Sequence, residues 1–182
     1  MAIHFSTQEF DNRKKKVLES MQKEKLDALL MFRQESMYWL TGYDTFGFVY
    51  FQCLILKANG DLVLLTRAPD LRQAQNTSII KDIRIWVDKN EANPAKELKN
   101  ILDGLNLRNI TLGVEYEAYG LTGRNSIKLN NSLNESYTLM DKSELISNFR
   151  LIKSEQEIVY VKKAAELADR ALESVWKIAK PG

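Results

Sequence analysis

The chain is 182 residues long, 45% hydrophobic and 27% charged, with a formal net charge of +2. That is enough material for one good core, with no low-complexity tract that would resist folding. Acids and bases are interspersed, which speaks against nucleic acid or an anionic membrane as the partner. No stretch approaches the roughly 20 apolar residues that span a bilayer, and the first residues lack a basic segment followed by an apolar run, so cytoplasm is the expected compartment.

There is one cysteine, Cys53, and one histidine, His4. An internal disulfide is therefore excluded, and Cys53, inside an apolar run, reads as a small hydrophobe. A self-contained Ser-His-Asp triad, Cys-His dyad or His-rich metal site is hard to build from a single histidine, whereas an all-carboxylate site stays open.

Ser6-Thr7-Gln8-Glu9 fits a capping box, and Phe10, Val17, Leu18 and Met21 recur at helical spacing. This predicts an amphipathic helix to about residue 23 whose charged face, including Lys14, Lys15 and Lys16, is solvated. Residues 26–32 are short and almost continuously apolar, as in a strand buried on both faces. Met37-Tyr38-Trp39-Leu40-Thr41-Gly42-Tyr43 opens an aromatic-rich stretch. Residues 37–41 read as one helical turn between a Ser36 N-cap and a Gly42 stop. Residues 43–47 read as a loop suited to a buried joint or a pocket wall, and residues 48–56 as the second strand.

Asn59-Gly60 signals a hairpin into a strand at 62–66. Pro69 opens a helix that continues through Ala74 and Gln75, and residues 83–87 alternate as a fourth strand. Asn93-Pro94 starts a helix whose buried stripe is Leu98, Ile101, Leu102 and Leu105, ending near Gly104. A strand at 109–114, a helix at 122–133 and a short strand at 137–140 follow. The predicted fold is α/β, a mixed and roughly six-stranded sheet with helices on both faces. From Ser154 a second capping box, Ser154-Glu155-Gln156-Glu157, starts one long helix to about residue 180, with Ile158, Val161, Ala165, Ala168, Leu172, Val175 and Ala179 at helical spacing.

No Gly-x-Gly-x-x-Gly, P-loop or Cys-x-x-Cys occurs. Gly120-Leu121-Thr122-Gly123-Arg124-Asn125-Ser126 is the nearest thing to an anion loop, with an ordinary loop-to-helix junction as the stronger reading. Arg67 and Arg72 flank Asp70 beside a strand end, a place from which α/β folds reach ligands, or else form a surface ion pair. Glu115 and Glu117 read as solvated carboxylates. Pattern and composition leave the activity open.

Two stretches carry a resemblance. Asn148-Phe149-Arg150-Leu151-Ile152-Lys153-Ser154-Glu155-Gln156-Glu157-Ile158, with Lys163-Ala164-Ala165-Glu166 and Ala168-Asp169 after it, closely resembles the linker into the catalytic domain of the creatinase, prolidase and aminopeptidase P family of pita-bread metallohydrolases. The stretch from Met37 to Tyr43 resembles the Y-x-x-G-aromatic element of that family's N-terminal domain. The resemblance implies a creatinase N-terminal-domain-like fold over residues 1–150 and a linker helix over 151–182, leading to a C-terminal catalytic domain outside this sequence.

The family's metal ligands, two aspartates, a histidine and two glutamates, belong to that catalytic half. The resemblance therefore implies no catalytic and no metal-binding residue in this chain, and a divalent metal (Mn, Co or Zn) in the other half. The implied role is non-catalytic: shaping substrate access and dimerisation in a metal-dependent Xaa-Pro dipeptidase, aminopeptidase or creatinase-like hydrolase. On matching positions Tyr43 and Phe46 become pocket-wall candidates, and Arg67 a candidate reader of a substrate carboxylate through its bidentate geometry. The expected partners are the chain's own catalytic domain, a second copy in a homodimer, and a small peptide or amide; no nucleic acid and no membrane is expected. Residues 48–55 contain no arginine, which departs from creatinase and speaks against creatine. Relatives acting on ectoine derivatives or as sulfonium lyases keep the reaction type open. The competing expectation is a protein-binding module derived from a catalytically inactive pita-bread protein, and the mild positive charge speaks against histones as its partner.

Overall fold

The apolar run after the first helix becomes the axis of the sheet. In the computed structural model, which describes residues 3–180, all four residues of β1 (Ala28–Met31) are buried. β1 pairs antiparallel with β2 (Cys53–Lys57) on one side and parallel with β5 (Ile110–Val114) on the other. β2 turns through Asn59 and Gly60 into antiparallel β3 (Leu62–Arg67). β4 (Asp82–Trp86) lies parallel to β3, and β6 (Tyr137–Asp141) parallel to β5. The result is a mixed six-stranded sheet in the order β4-β3-β2-β1-β5-β6. A strand with helices over both faces has to be apolar at successive rather than alternate positions, which is why residues 26–32 and 53–56 carry no polar alternation beyond Asp27.

The helices of the sheet unit are α1 (Thr7–Lys23), α2 (Gln34–Thr41), α3 (Leu71–Thr77), α4 (Pro94–Gly104) and α5 (Gly123–Leu133). α4 and α5 bring Leu98, Leu102, Leu129 and Leu133 onto the face that carries Leu30, Cys53 and Ile55, in one contiguous cluster. The alternate strand residues Leu29, Met31, Leu54 and Leu56 are buried on the opposite face, and α1 adds Phe10, Val17 and Met21 to the core outside that cluster. Each such fully buried side chain contributes about 1.5–3 kcal/mol relative to exposure.

Several local expectations shift in the structure. Helix α2 begins three residues earlier than the Ser36 cap implied: Arg33 is the N-cap residue, and Ser36 sits buried inside the helix, its hydroxyl donating to Glu115. Gly42 does end α2, in the left-handed region at φ 81°, where a side chain would also meet the Thr77 carbonyl at 2.8 Å. The second strand starts at Cys53 rather than residue 48, because Phe46–Val49 forms a 3-10 turn whose Gly47 N–H is capped by the Thr45 hydroxyl. Pro69 lies in a 3-10 turn, Ala68–Asp70, that leads into α3. The charged face of α1 is not wholly solvated: Arg13 is buried, donating to Glu9 at 2.9 Å and to the Trp39 carbonyl at 2.7 Å. Asn93 makes no side-chain cap, and Pro94 alone marks the start of α4.

The chain forms two compact units, residues 1–147 and 148–182. A short helix that the sequence pattern did not announce, α6 (Leu145–Leu151), straddles the boundary between them. The second unit is dominated by α7 (Glu155–Ile178), started by a complete capping box between Ser154 and Glu157, and no α7 side chain is buried.

Candidate functional site

Residues 43–52 cross the ends of β2 and β3 and are fastened there by buried polar groups. Gln52 is the first fastener: its Nε2 donates to the Gly47 carbonyl at 2.7 Å, and its Oε1 accepts from Thr66 at 2.9 Å and from the Tyr43 hydroxyl. Asp70 is the second. It is buried and accepts from the Thr45 hydroxyl at 2.7 Å on one oxygen and from Arg67 Nε at 3.0 Å on the other. Gly47 lies so close to this carboxylate that a Cβ would stand 2.5 Å from both oxygens, so any larger residue there would have to displace the Asp70 carboxylate or the loop. Arg67 in turn stacks over the Tyr50 ring, 3.4 Å from Cζ to the ring centroid.

A second network anchors the start of α2. Glu115, directly after β5, is fully buried. One oxygen accepts the Phe32 and Arg33 N–H groups at 3.1 Å each, and the other accepts the Ser36 hydroxyl at 2.6 Å. The Arg33 guanidinium turns away from Glu115: it donates to the Glu117 carbonyl at 3.0 Å, to the Glu117 carboxylate at 3.1 Å and to Ser147. Burial therefore pushes the Glu115 carboxyl up to about 7, against the pull of its hydrogen bonds and of the Arg33 charge. The reading of Glu115 as a solvated carboxylate is overturned: the apolar ends of β1 and β5 enclose it, and Ser36 and two backbone donors satisfy it. Glu117, with its side chain 76% exposed, is solvated as expected.

Between these networks lies a cavity of about 270 Å³, walled by Arg33, Glu35, Asp44, Thr45, Phe48 and Tyr119 among others. Phe48 and Tyr119 meet edge to face with ring centroids 6.0 Å apart. Glu35 and Asp44 are exposed, and among the described residues neither has an ion pair, while Arg33 is committed to Glu117. The wall is therefore net negative. Among the described residues no three His, Cys, Asp or Glu side chains come together as a metal-binding group, and no helix is long and apolar enough to cross a membrane.

The three residues singled out from the sequence do not share one surface. Phe46 is 87% exposed at the loop tip. Tyr43 has no exposed surface, and its hydroxyl, pushed up to about 12 by burial, belongs to the Gln52 and Thr66 network. Arg67 is mostly covered, its ion pair with Asp70 lying inside the fold rather than on the surface. Gln52 and Thr45 are organising residues that sequence reasoning passed over, while Asp70 and Glu115 were noticed but read as surface groups. Gln52 and Asp70 each border an apolar strand or a proline turn, but nothing local marks them as buried. Cys53 is fully buried, and burial, followed by the Glu115 charge, raises its thiol well above the ordinary range, in keeping with a packing role.

A mixed sheet in this strand order, with an aromatic loop closed over its β2–β3 end and a long helix after it, defines the class. Residues 13–152 match the creatinase/prolidase N-terminal domain family, and the chain belongs to that family. An uncharacterized hydrolase/peptidase of Sinorhizobium fredii is 30% identical over 187 residues, which cover 99% of this chain and 47% of that protein. The ectoine hydrolase of Halomonas elongata is 26% identical over 189 residues, covering 100% of this chain and 47% of that protein. Among solved structures, an Xaa-Pro dipeptidase from Bacillus anthracis superposes with a TM-score of 0.75 at 18% identity, over 95% of this chain and 44% of that one, a likeness of fold. The chain thus spans about half the length of the curated relatives it matches.

Proposed function

We propose that this chain is the non-catalytic N-terminal part of a hydrolase acting on a small peptide or amide, with residues 1–150 as the domain and 151–182 as the linker helix. The observation that carries the reading is the family match over residues 13–152 together with relatives of twice the length, among them hydrolases and an Xaa-Pro dipeptidase. In this reading the metal, Mn, Co or Zn, and the reacting groups belong to the catalytic half. The present chain shapes the way in, joins that half, and pairs with a second copy.

The site has the right physical character for an entrance wall. Phe46, Phe48 and Tyr50 offer apolar rings on a loop that Gln52 and Asp70 hold in place, with Tyr119 from the β5–α5 connection against Phe48, so little ordering remains to be done when a ligand arrives. Tyr43 acts from beneath, through Gln52. Arg67 uses only its Nε on Asp70, which leaves its two terminal nitrogens for a substrate carboxylate, and the acidic cavity at Asp44 and Glu35 suits a free amino group. The test is hydrolysis of Xaa-Pro dipeptides by the complete gene product, with and without a chelator, beside the 182-residue chain alone. Metal-dependent turnover only by the complete protein is the expected result. No turnover of any peptide or amide by a metal-loaded complete protein would overturn the reading and turn attention to a binding module.

A further inference from the structure

β4 forms one edge of the sheet, paired with β3 on one side and with no strand on the other among the described residues. Edge strands are usually blunted by a proline, a bulge or a covering element. β4 has no proline, pairs with β3 in unbroken register from Asp82 to Trp86, and leaves Ile85 46% and Val87 56% exposed beside it. Its two charged residues are opposite in sign and two positions apart, so they stand on the same face. They satisfy each other within the strand: Arg84 Nε and Nη2 donate to Asp82 at 3.0 and 2.9 Å, with the two side chains 39% and 43% exposed.

This spacing has a consequence for symmetric pairing. In an antiparallel ladder between two copies that continues the sheet, a two-fold axis passes through one residue, and residues equally far on either side face each other's copies. An axis at Asp82 or at Arg84 sets like charges opposite one another. An axis at Ile83 sets Asp82 opposite Arg84 twice, Ile83 opposite Ile83, and Ile85 opposite the stem of Lys81. Opposite charges directly across a ladder stabilise it, and like charges destabilise it. The other edge, β6, lacks this property, because its end charges Asp141 and Lys142 are adjacent and fall on opposite faces.

We propose that the free edge of β4 is the docking surface for a second copy of this chain, through antiparallel β4–β4 pairing centred on Ile83. The intrastrand pair of Asp82 and Arg84 then exchanges for two identical pairs between the copies, and two six-stranded sheets become one continuous sheet. The proposal rests on the pairing with a second copy in the reading above and names its surface; it uses no residue of the loop or the cavity, so the hydrolase assignment stands or falls by its own test.

Cysteine cross-linking reads the register directly. Residues facing each other across an antiparallel ladder have Cα atoms about 4.5–5.5 Å apart, within disulfide reach. The native Cys53 is fully buried and stays silent. Ile83→Cys should therefore give a disulfide-linked dimer under mild oxidation. Ile85→Cys should not, although position 85 is well exposed, because the two copies of residue 85 stand about 14 Å apart in this register. Asp82→Arg in the Ile83→Cys background should slow cross-linking at least tenfold, and adding Arg84→Asp should restore it by swapping both charges. Cross-linking of Ile85→Cys as fast as Ile83→Cys, no dimer from either, or no effect of Asp82→Arg would each overturn the proposal.

Discussion

The sharpest physical test concerns Glu115, a fully buried carboxyl with no cation hydrogen-bonded to it. Two effects compete there. Three donors and the Arg33 charge favour the ionised form, while loss of water disfavours it, and desolvation is the larger effect, the Arg33 guanidinium being hydrogen-bonded to Glu117 rather than to Glu115. The group titrates at its usual 4.5 in the unfolded chain and at about 7 in the folded one. Between these values the native state holds the extra proton, so stability is fully present below the unfolded value and is lost as pH rises through 7. The full difference amounts to about 3 kcal/mol at pH 8.

Glu115→Gln imitates the protonated form. Its carbonyl can accept the Phe32 and Arg33 N–H groups while one amide N–H donates to the Ser36 hydroxyl, so all three contacts of the carboxyl keep a counterpart. Urea unfolding followed by the fluorescence of the buried Trp39 and Trp86, at pH 5 and pH 8, gives the comparison. The variant and the parent should be equally stable at pH 5 to within about 1 kcal/mol, and the variant more stable at pH 8 by about 2–3 kcal/mol. Differencing the two proteins removes every other titrating group. Parallel curves at both pH values, or a variant that loses more than the parent at pH 8, would mean that the three donors hold the carboxylate ionised and that the reasoning fails.

Gly47→Ala puts a methyl against Asp70 and should cost about 1–3 kcal/mol by forcing the loop off its fastener; unchanged thermal stability with an unchanged Tyr50 environment would remove the close approach from the account. On the proposed hydrolase reading, Arg67→Ala in the complete gene product should raise KM with little change in kcat, the pattern of lost uniform binding. Unaltered steady-state kinetics would confine Arg67 to its structural pair with Asp70. Substituting both Leu172 and Val175 by Glu should leave the unfolding temperature of the sheet unit unchanged, since no α7 side chain is buried. A clear drop in a calorimetric scan would show that α7 contributes to that unit's core.

What the sequence disclosed depends on how far apart the interacting residues lie. The β1 run, the Asn59-Gly60 hairpin, the Pro94 helix start and the Ser154 capping box were readable because each is written within a few residues, where steric and capping rules act directly. α6 was not readable, being two turns long with too few positions to set a helical period. The site was legible only as composition: an aromatic loop was evident, its fastening was not. Glu115 meets Ser36 across 79 positions and Phe32 across 83, and Thr45 meets Asp70 across 25, distances at which no local pattern survives. A lone Glu, Asp or Gln reads as surface because most are, so each of these buried fasteners was hidden by its own residue type. The burial of Tyr43 was hidden for the converse reason: an aromatic ring in a loop reads as half-exposed, and only the arrival of Gln52 and Thr66 at its hydroxyl draws it inside. The exposed rings around Phe46 therefore owe their fixed position to polar residues that the sequence presents as ordinary surface, and perturbing those residues, rather than the rings, is the cleaner way to ask what the loop does.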